Sequence, residues 1–420
     1  MKGEVLEFMA TRATKKQLEF LNWEFGVFFH FGIRTFYPEH KDWDFMPMPL
    51  DAFCPTELDC DRWIKTIWES GAKYAVLVCK HHDGFANWPS QYTDYSVANT
   101  PWKEGEGDIV REFTNACRRY GIKIGLYYSP AEYETKTKSA KNYDEYFIQQ
   151  IRELLGSYGQ IDYLWFDGCG SENHQYDTAR IIQEIRRLQP DILIFNMWDP
   201  DTRWNGNESG YADMPNPLIV DSVAFSVLAE SEEKLSQRLF LPVECDIKIH
   251  RNSWFHKEGE EIKTLDELIG IYHYSVGRGA NLLLNIGPDR RGLLPKAEEA
   301  RLRELGEYIK NSFCNPAAEH FILEGGVYKL KLSEPTLIDC IILSEAEESL
   351  GSIKEYHIRA YCYDDFAKPI KVFRSETIGH KAICRFEPIF ARGFDVVIDK
   401  EVTCSKLQKF SAHFVDRRLL

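Results

Sequence analysis

A (β/α)8-like barrel followed by an antiparallel β-sandwich is the fold this sequence predicts, on three observations. Strand-like and helix-like patterns alternate up to about residue 313. The strand-like stretches are continuous apolar runs, as expected of strands buried on both faces. After Pro316 helical periodicity disappears and short alternating strands take over. The expected division is a barrel over residues 1–315 and a jelly-roll-like β-sandwich over residues 316–420.

The expected barrel strands are Phe25–His30, Tyr74–Cys79, Ile122–Tyr128, Tyr163–Asp167, Ile192–Asn196, Leu241–Asp246 and Asn281–Ile286. Between them lie amphipathic helix patterns. Arg62–Glu69 closes at Ser70-Gly71, Asp108–Tyr120 at Gly121, and Tyr143–Tyr158 at Gly159. Asp177–Leu188 opens on Asp177 as an N-cap and stops before Pro190. Leu265–Val276 and Lys296–Ser312 complete the set. Repeated strand–helix units imply a parallel sheet with right-handed crossovers. Seven or eight strands in some 310 residues fit a closed barrel better than an open sheet. The stretch Trp198–Phe240 breaks the rhythm and reads as a long polar loop rich in Pro and Gly. Beyond Pro316, Val327–Leu332, Ile338–Leu343, Glu355–Cys362, Ile370–Arg374, Ala382–Phe386 and Phe394–Ile398 are the expected sandwich strands.

A net charge of −14 argues against nucleic acid and against an anionic membrane surface as partners. No apolar run approaches the ~20 residues of a membrane span. Met1–Thr14 is mixed polar with no apolar leader core, which gives the expectation of a cytoplasmic, bacterial-type protein, or a secreted one had a leader been removed. The eleven cysteines are scattered without a CxxC pair, so free thiols are expected. No Walker-type or GxGxxG loop points to a nucleotide, and no cofactor is expected.

Polar residues gather at the strand ends: His30-Phe31-Gly32, Lys80-His81-His82-Asp83-Gly84, Tyr127-Tyr128-Ser129-Pro130 and Asp167-Gly168. In a parallel barrel these ends converge on one pocket. A carboxylate such as Asp167 at the tip of the apolar run Tyr163-Leu164-Trp165-Phe166 is costly there without a partner or a task. Three histidines and an aspartate also suit a metal, and a hydrolase using His30, His81 and Asp83 is one rival reading. Adjacent His81 and His82 should face opposite ways on a strand, so no metal is expected. Cleavage of a glycosidic bond with retention needs a nucleophilic carboxylate and a second carboxyl as acid and base. Glu208, in a glycine-flanked polar loop, and Glu244, expected at a strand tip, both qualify. A sugar-binding protein without catalysis is the other rival. The sole Asn-x-Ser/Thr sequon, Asn207-Glu208-Ser209, would put a glycan in the cleft, and is expected to be unmodified.

Five segments resemble the α-L-fucosidases of glycoside hydrolase family 29. They are Phe28-Phe29-His30-Phe31-Gly32, His81-His82-Asp83-Gly84-Phe85 with Trp88, Gly125–Ser129, Leu164–Gly168, and Ser275–Arg278 through Leu282–Pro288. The resemblance implies Asp167 as nucleophile. It implies His30, His81, His82 and Tyr127 as contacts to fucose hydroxyls and the nucleophile, and Trp43 and Trp88 as aromatics near the sugar. Arg203–Gly210 resembles the Gly-Asn-Glu motif of the α-1,3/1,4-specific branch, which implies Glu208 as acid/base and Glu244 as a supporting or subsite residue. The implied substrate is a fucosylated, Lewis-type glycan, with broad or α-1,2/1,6 specificity as the alternative.

Three segments depart from that branch: Arg34-Thr35-Phe36, Asp42 before Trp43, and Ile249–Trp254. Asp42 and Trp254, like their neighbours, are expected to face the sugar or its aglycone. Phe29, Phe31 and Trp165 are candidates to receive the fucose methyl.

Overall fold

Eight parallel strands close into a ring in the computed structural model, which describes residues 11–136, 138–171, 174–226, 231–362 and 368–415. The ring strands are β1 (Phe25–Phe29), β2 (Tyr74–Lys80), β3 (Lys123–Tyr128), β4 (Tyr163–Phe166), β5 (Leu193–Phe195), β6 (Arg203–Trp204), β9 (Val243–Lys248) and β10 (Asn281–Asn285). They are hydrogen-bonded in the order β5-β4-β3-β2-β1-β10-β9-β6. A parallel bridge between Phe195 and Thr202 joins β5 to β6 and completes the circle. The seven expected strands are present. The eighth, β6, is only two residues long and lies inside the stretch read as a loop.

Helices α2 (Cys60–Glu69), α3 (Ile109–Tyr120), α4 (Ala140–Ser157) and α5 (Thr178–Leu188) separate the first five strands. Helix α6 (Leu265–Ser275) joins β9 to β10, and α7 (Lys296–Phe313) follows. Local chemistry sets their ends. Asp59, Asp108 and Asp177 each accept a hydrogen bond from the backbone N–H three residues on. Gly121 closes α3 at φ +67°, where a side chain would be strained. Thr264 and Glu267 form a capping box for α6. Among the described residues, no helix is long and apolar enough to cross a membrane.

The sixth strand–helix unit is replaced. Between β6 and β9 the chain runs through an antiparallel hairpin, β7 (Ile219–Ser226) with β8 (Ser231–Phe240). Trp198–Phe240 is thus a strand plus a hairpin, not a structureless loop. The β-branched and aromatic residues Ile219, Val220, Val223 and Phe225 of β7 were the available signal, obscured by Asp221, Ser222 and the preceding prolines.

A short helix, α1 (Lys15–Leu21), was not anticipated. Its Thr14–Gln17 capping box is intact. Phe20 and the following Trp23 plug the N-terminal mouth of the barrel against Tyr74 and Tyr163, with ring centroids 5.3–6.3 Å apart. Truncating a buried ring such as Phe20 costs about 3–5 kcal/mol.

The C-terminal part is an antiparallel β-sandwich with its own core, including Leu330, Ile341, Tyr356, Phe394 and Phe410. Its strands are β11 (Phe321–Glu324), β12 (Val327–Glu345), β13 (Ile353–Tyr361), β14 (Ile370–Ser375), β15 (Ala382–Glu401) and β16 (Leu407–His413). Two pairs of expected strands merge into the long β12 and β15, whose register shifts at bulges between Lys331 and Thr336. The β16 strand was not expected. The sandwich is tied to the barrel by Lys381–Glu24 at 2.7 Å and by Ile383 N–H donating to the Gly277 carbonyl at 3.0 Å.

Candidate active site

The C-terminal ends of the ring strands open into one pocket. Its walls include Phe28, His30, Asp42, Trp43, His81, His82, Tyr127, Trp165, Asp167, Trp204, Glu208, Phe225, Asp246 and Trp254. Nine of the eleven residues expected to be catalytic or to bind substrate are therefore brought together. Trp88 and Glu244 are not.

Asp167 follows the last residue of β4. Its Oδ2 accepts from the Tyr127 hydroxyl at 2.8 Å and lies 3.4 Å from His82 Nε2. Its Oδ1 accepts from the Cys169 N–H at 2.8 Å. Burial disfavours the charge, but these donors and the His82 cation outweigh it and hold the carboxyl below its ordinary range. Burial also opposes charge on His82. The hydrogen bond and field of Asp167 prevail and carry His82 up to about 10. The site thus holds an ionised carboxylate, 26% exposed, locked beside an imidazolium. Gly168 is needed for close approach, because a Cβ there would sit 2.1 Å from the Phe225 carbonyl of the β7 hairpin.

His81 and His82 both line the pocket, against the expectation from strand alternation. The reason is that β2 ends at Lys80, so both rings belong to the turn after it, with centroids 4.4 Å apart. His82 Nδ1 is 2.7 Å from Ser129 Oγ. Burial keeps His81 neutral, and its ring stacks on Tyr127 at 5.6 Å. Burial likewise drives His30 down to about 3. Asn285 donates through Nδ2 to the Trp254 carbonyl at 2.7 Å, which turns its Oδ1 toward His30 Nδ1, also at 2.7 Å. His30 is therefore protonated on Nδ1, and Nε2 is left as an acceptor. Asn285 was missed, although it closes the apolar run Leu282-Leu283-Leu284 just as Asp167 closes its own.

Asp83 does not share this pocket. It is buried and accepts from Arg34 Nε at 2.8 Å. His30, His81 and Asp83 therefore do not converge as a metal triad.

Glu208 stands on the loop after β6, 37% exposed, with Lys248 Nζ 3.2 Å from its Oε2. Gly206 and Gly210, at φ +87° and +74°, allow the turn. Lys248 also lies 4.9 Å over the Trp254 ring. Asp246, two residues before Lys248 on β9, faces the same pocket and accepts from Trp204 Nε1 at 2.7 Å. Burial, and then the nearby Glu208, push its carboxyl well above the normal range. Asp246 was overlooked because Glu244 drew attention to the wrong end of the strand.

Glu244 sits near the start of β9 rather than its tip, and has no exposed surface. It accepts from Tyr74 at 2.7 Å, Trp165 Nε1 at 2.8 Å and Tyr163 at 3.3 Å. Burial raises it to about 7. Trp165 lies between this carboxyl and the pocket, its ring stacked on Tyr127 and on Phe195. Glu244 belongs to the layer beneath.

Trp88 is buried on the outer side of the barrel, and its indole donates to Glu153 of α4 at 2.8 Å. It fastens the loop after β2 to that helix. Trp88→Phe should leave KM for any sugar substrate within about twofold and lower stability by ~1 kcal/mol, as checked by kinetics and urea unfolding. Phe29 and Phe31 likewise point outward, packing on Trp63 at 5.4 and 5.6 Å, whereas Phe28 and Trp165 face the pocket.

Of the departures expected to face the sugar or its aglycone, only Asp42 and Trp254 line the pocket. Arg34 is 2% exposed and reaches Asp83 and Asp44, each at 2.8 Å, and the Lys41 carbonyl. It pins the loop that carries Asp42, Trp43 and Phe45. Phe45 stacks on His82 at 4.8 Å, and Asp42 accepts from the Trp254 N–H at 2.9 Å. Arg34→Ala strands two carboxylates and should cost about 3–5 kcal/mol. Steady-state kinetics should show KM rising more than kcat falls, since the loop supplies pocket walls rather than reacting groups.

The sequence pattern of the family described as Alpha-L-fucosidase matches residues 6–312. Alpha-L-fucosidase 1 of Arabidopsis thaliana is 35% identical over 311 residues, covering 71% of this chain and 61% of that protein. An Oryza sativa subsp. japonica relative is 35% identical over 347 residues, covering 81% of this chain and 66% of its own. The chain thus spans somewhat under two thirds of these plant proteins. A crystal structure from Bacteroides thetaiotaomicron, assigned to the α-L-fucosidases, superposes with a TM-score of 0.86 at 31% identity, covering 97% of this chain and 98% of that one.

Proposed function

Since the chain belongs to the α-L-fucosidase family, glycoside hydrolase family 29, we propose that it is a retaining α-L-fucosidase that releases terminal L-fucose from fucosylated glycans. The observation that carries this reading is the pairing in one pocket of an ionised, three-donor carboxylate with a second, solvent-accessible one. Asp167 attacks the anomeric carbon, the glycosidic C–O bond breaks, and Glu208 gives its proton to the departing oxygen. Glu208 then takes a proton from water, which attacks the same carbon and frees Asp167. Two inversions leave the configuration retained.

The remaining walls suit this sugar. Neutral His30 and His81 and cationic His82 offer acceptor and donor nitrogens to hydroxyls. Phe28, Trp165 and Trp254 supply apolar faces for the ring and its methyl. Asp246 and Glu208 repel each other as anions, which favours a proton on this pair of carboxyls.

Lewis-type α-1,3/1,4 linkages are the proposed targets, supported by the Gly206-Asn207-Glu208 motif standing at the pocket with its Glu in the wall. The test is a hydrolysis panel of aryl fucoside, 2′-fucosyllactose, Lewis a, Lewis x and a core α-1,6 fucoside. Preference for the Lewis trisaccharides supports the proposal. Preference for the aryl, α-1,2 or α-1,6 substrates would replace it with the broad-specificity reading. Fucose binding without hydrolysis of any substrate would leave a lectin-like protein.

A further inference from the structure

A second cluster of potential ligands lies behind the pocket wall. His250 and His256 flank Trp254 and Phe255 on the segment after β9, and Glu298 comes from the first turn of α7. Each offers one ligand atom, and the three atoms lie within 4.8 Å of one another. His250 has no exposed surface, Glu298 is buried, and His256 is half-buried. His250 Nε2 is 2.8 Å from Glu298 Oε1.

A hydrogen-bonded His–Glu pair accounts for that contact but not for the rest of the cluster. The Nδ1 atoms of His250 and His256 are both shut off from solvent and find no protein partner among the described residues. A buried ring nitrogen without a partner costs about 1–3 kcal/mol, so two in adjacent rings call for an explanation. The rings are 5.9 Å apart, close enough for one ion to bridge them. A cleft lined by His256, Glu258 and Asp289, together with Arg290 and Arg291, leads in from solvent. Arg291 is already neutralised by Asp289 at 2.6 Å.

We propose that His250, His256 and Glu298 form a site for one divalent first-row cation, zinc by preference, that ties the segment after β9 to α7. Two imidazoles and a carboxylate are a borderline N/O donor set of the kind zinc takes, with water to complete four-coordination. Zinc–ligand bonds of about 2.0–2.1 Å place tetrahedral ligand atoms ~3.3 Å apart, inside the 4.8 Å spread of this cluster, and the half-buried His256 can supply the adjustment. The ion would stiffen the stretch that seats Trp254 in the pocket and packs Phe255 edge-on against His30 and His81, at 5.3 and 5.1 Å. Its role is structural, since none of its ligands lines the pocket.

The experiment titrates zinc chloride into full-length, chelator-stripped protein by calorimetry, with metal content measured after gel filtration. About one zinc per chain, and a melting temperature higher by ~3 °C or more at saturation, is expected. His256→Asn and His250→Gln should each weaken uptake about tenfold or more. Should His250→Gln fail to fold, His256→Asn and cobalt substitution decide. Cobalt in a nitrogen-rich four-coordinate site absorbs strongly in the visible, and zinc should abolish that band. Retention of less than ~0.1 zinc per chain, uptake unchanged in His256→Asn, or a cobalt complex with only weak hexa-aqua absorption would overturn the site.

Discussion

Replacing Asp167 with alanine should lower kcat by about 10⁴-fold or more while leaving the protein folded. Among the described residues, the carboxylate is the only group in the pocket held ionised by a Tyr hydroxyl, a backbone N–H and an imidazolium together. With the cavity opened by the small side chain, azide should restore turnover and yield the azido sugar of inverted configuration. Undiminished activity in the variant would remove Asp167 from the chemistry. The same change unmakes the charge state of His82. Without its anion, burial weighs more heavily and the ring gives up its proton at lower pH. In the wild type, the charged pair stabilises the fold across a wide window. The Asp167 contribution is present above the ordinary carboxylate range and fades on acidification, because its folded pKa is depressed. The His82 contribution is complete below about 6.5 and is lost as pH climbs through about 10. Thermal melts of wild type and Asp167→Ala should therefore converge at alkaline pH. A gap that stayed constant to pH 11 would contradict the pairing.

Glu208→Gln and Glu244→Gln should separate as acid/base and structural carboxyl. Glu208→Gln should reduce hydrolysis of oligosaccharides by about 10²–10⁴-fold, with a smaller loss on aryl fucosides whose leaving group needs little protonation. Glu244→Gln keeps an acceptor for Tyr74 and Trp165 and removes a carboxyl that burial already raises to about 7. Its kcat should stay within about tenfold of wild type, with the penalty appearing in stability. If Glu244→Gln gave the leaving-group-dependent loss and Glu208→Gln did not, the assignment would reverse. Comparing kcat/KM for an aryl fucoside and a Lewis trisaccharide in both variants reads this directly.

Much of the site was legible because it is written in the barrel's most regular parts. Continuous apolar runs ending in His30, Asp167 and Tyr127-Tyr128 report strands whose tips converge. What failed did so for definable reasons. Strand alternation stops where a strand stops, so His81 and His82 both turn inward past Lys80. Side-chain parity decides facing, and it placed Phe28 inside and Phe29 outside, which residue type alone does not reveal. Glu244, Asp246 and Lys248 share one face of β9, but only depth along the strand distinguishes a buried structural carboxyl from one at the pocket. Trp88 carries a family motif without touching the pocket, and its partner Glu153 is a long-range contact invisible to local pattern. The two-residue β6 is too short for any periodicity to register.

That short strand and the hairpin after it divide the proposed chemistry between two kinds of scaffold. The nucleophile rides on β4, braced by paired strands on both sides and backed by helices. The acid rides on a glycine-hinged excursion that contributes two residues to the ring and then leaves it. Changes in the length or sequence of that excursion can move the acid, and reshape the wall that meets the aglycone, without disturbing the barrel. Grafting residues 205–240 from a relative, which leaves β6 in the ring, is the natural route to retargeting this protein.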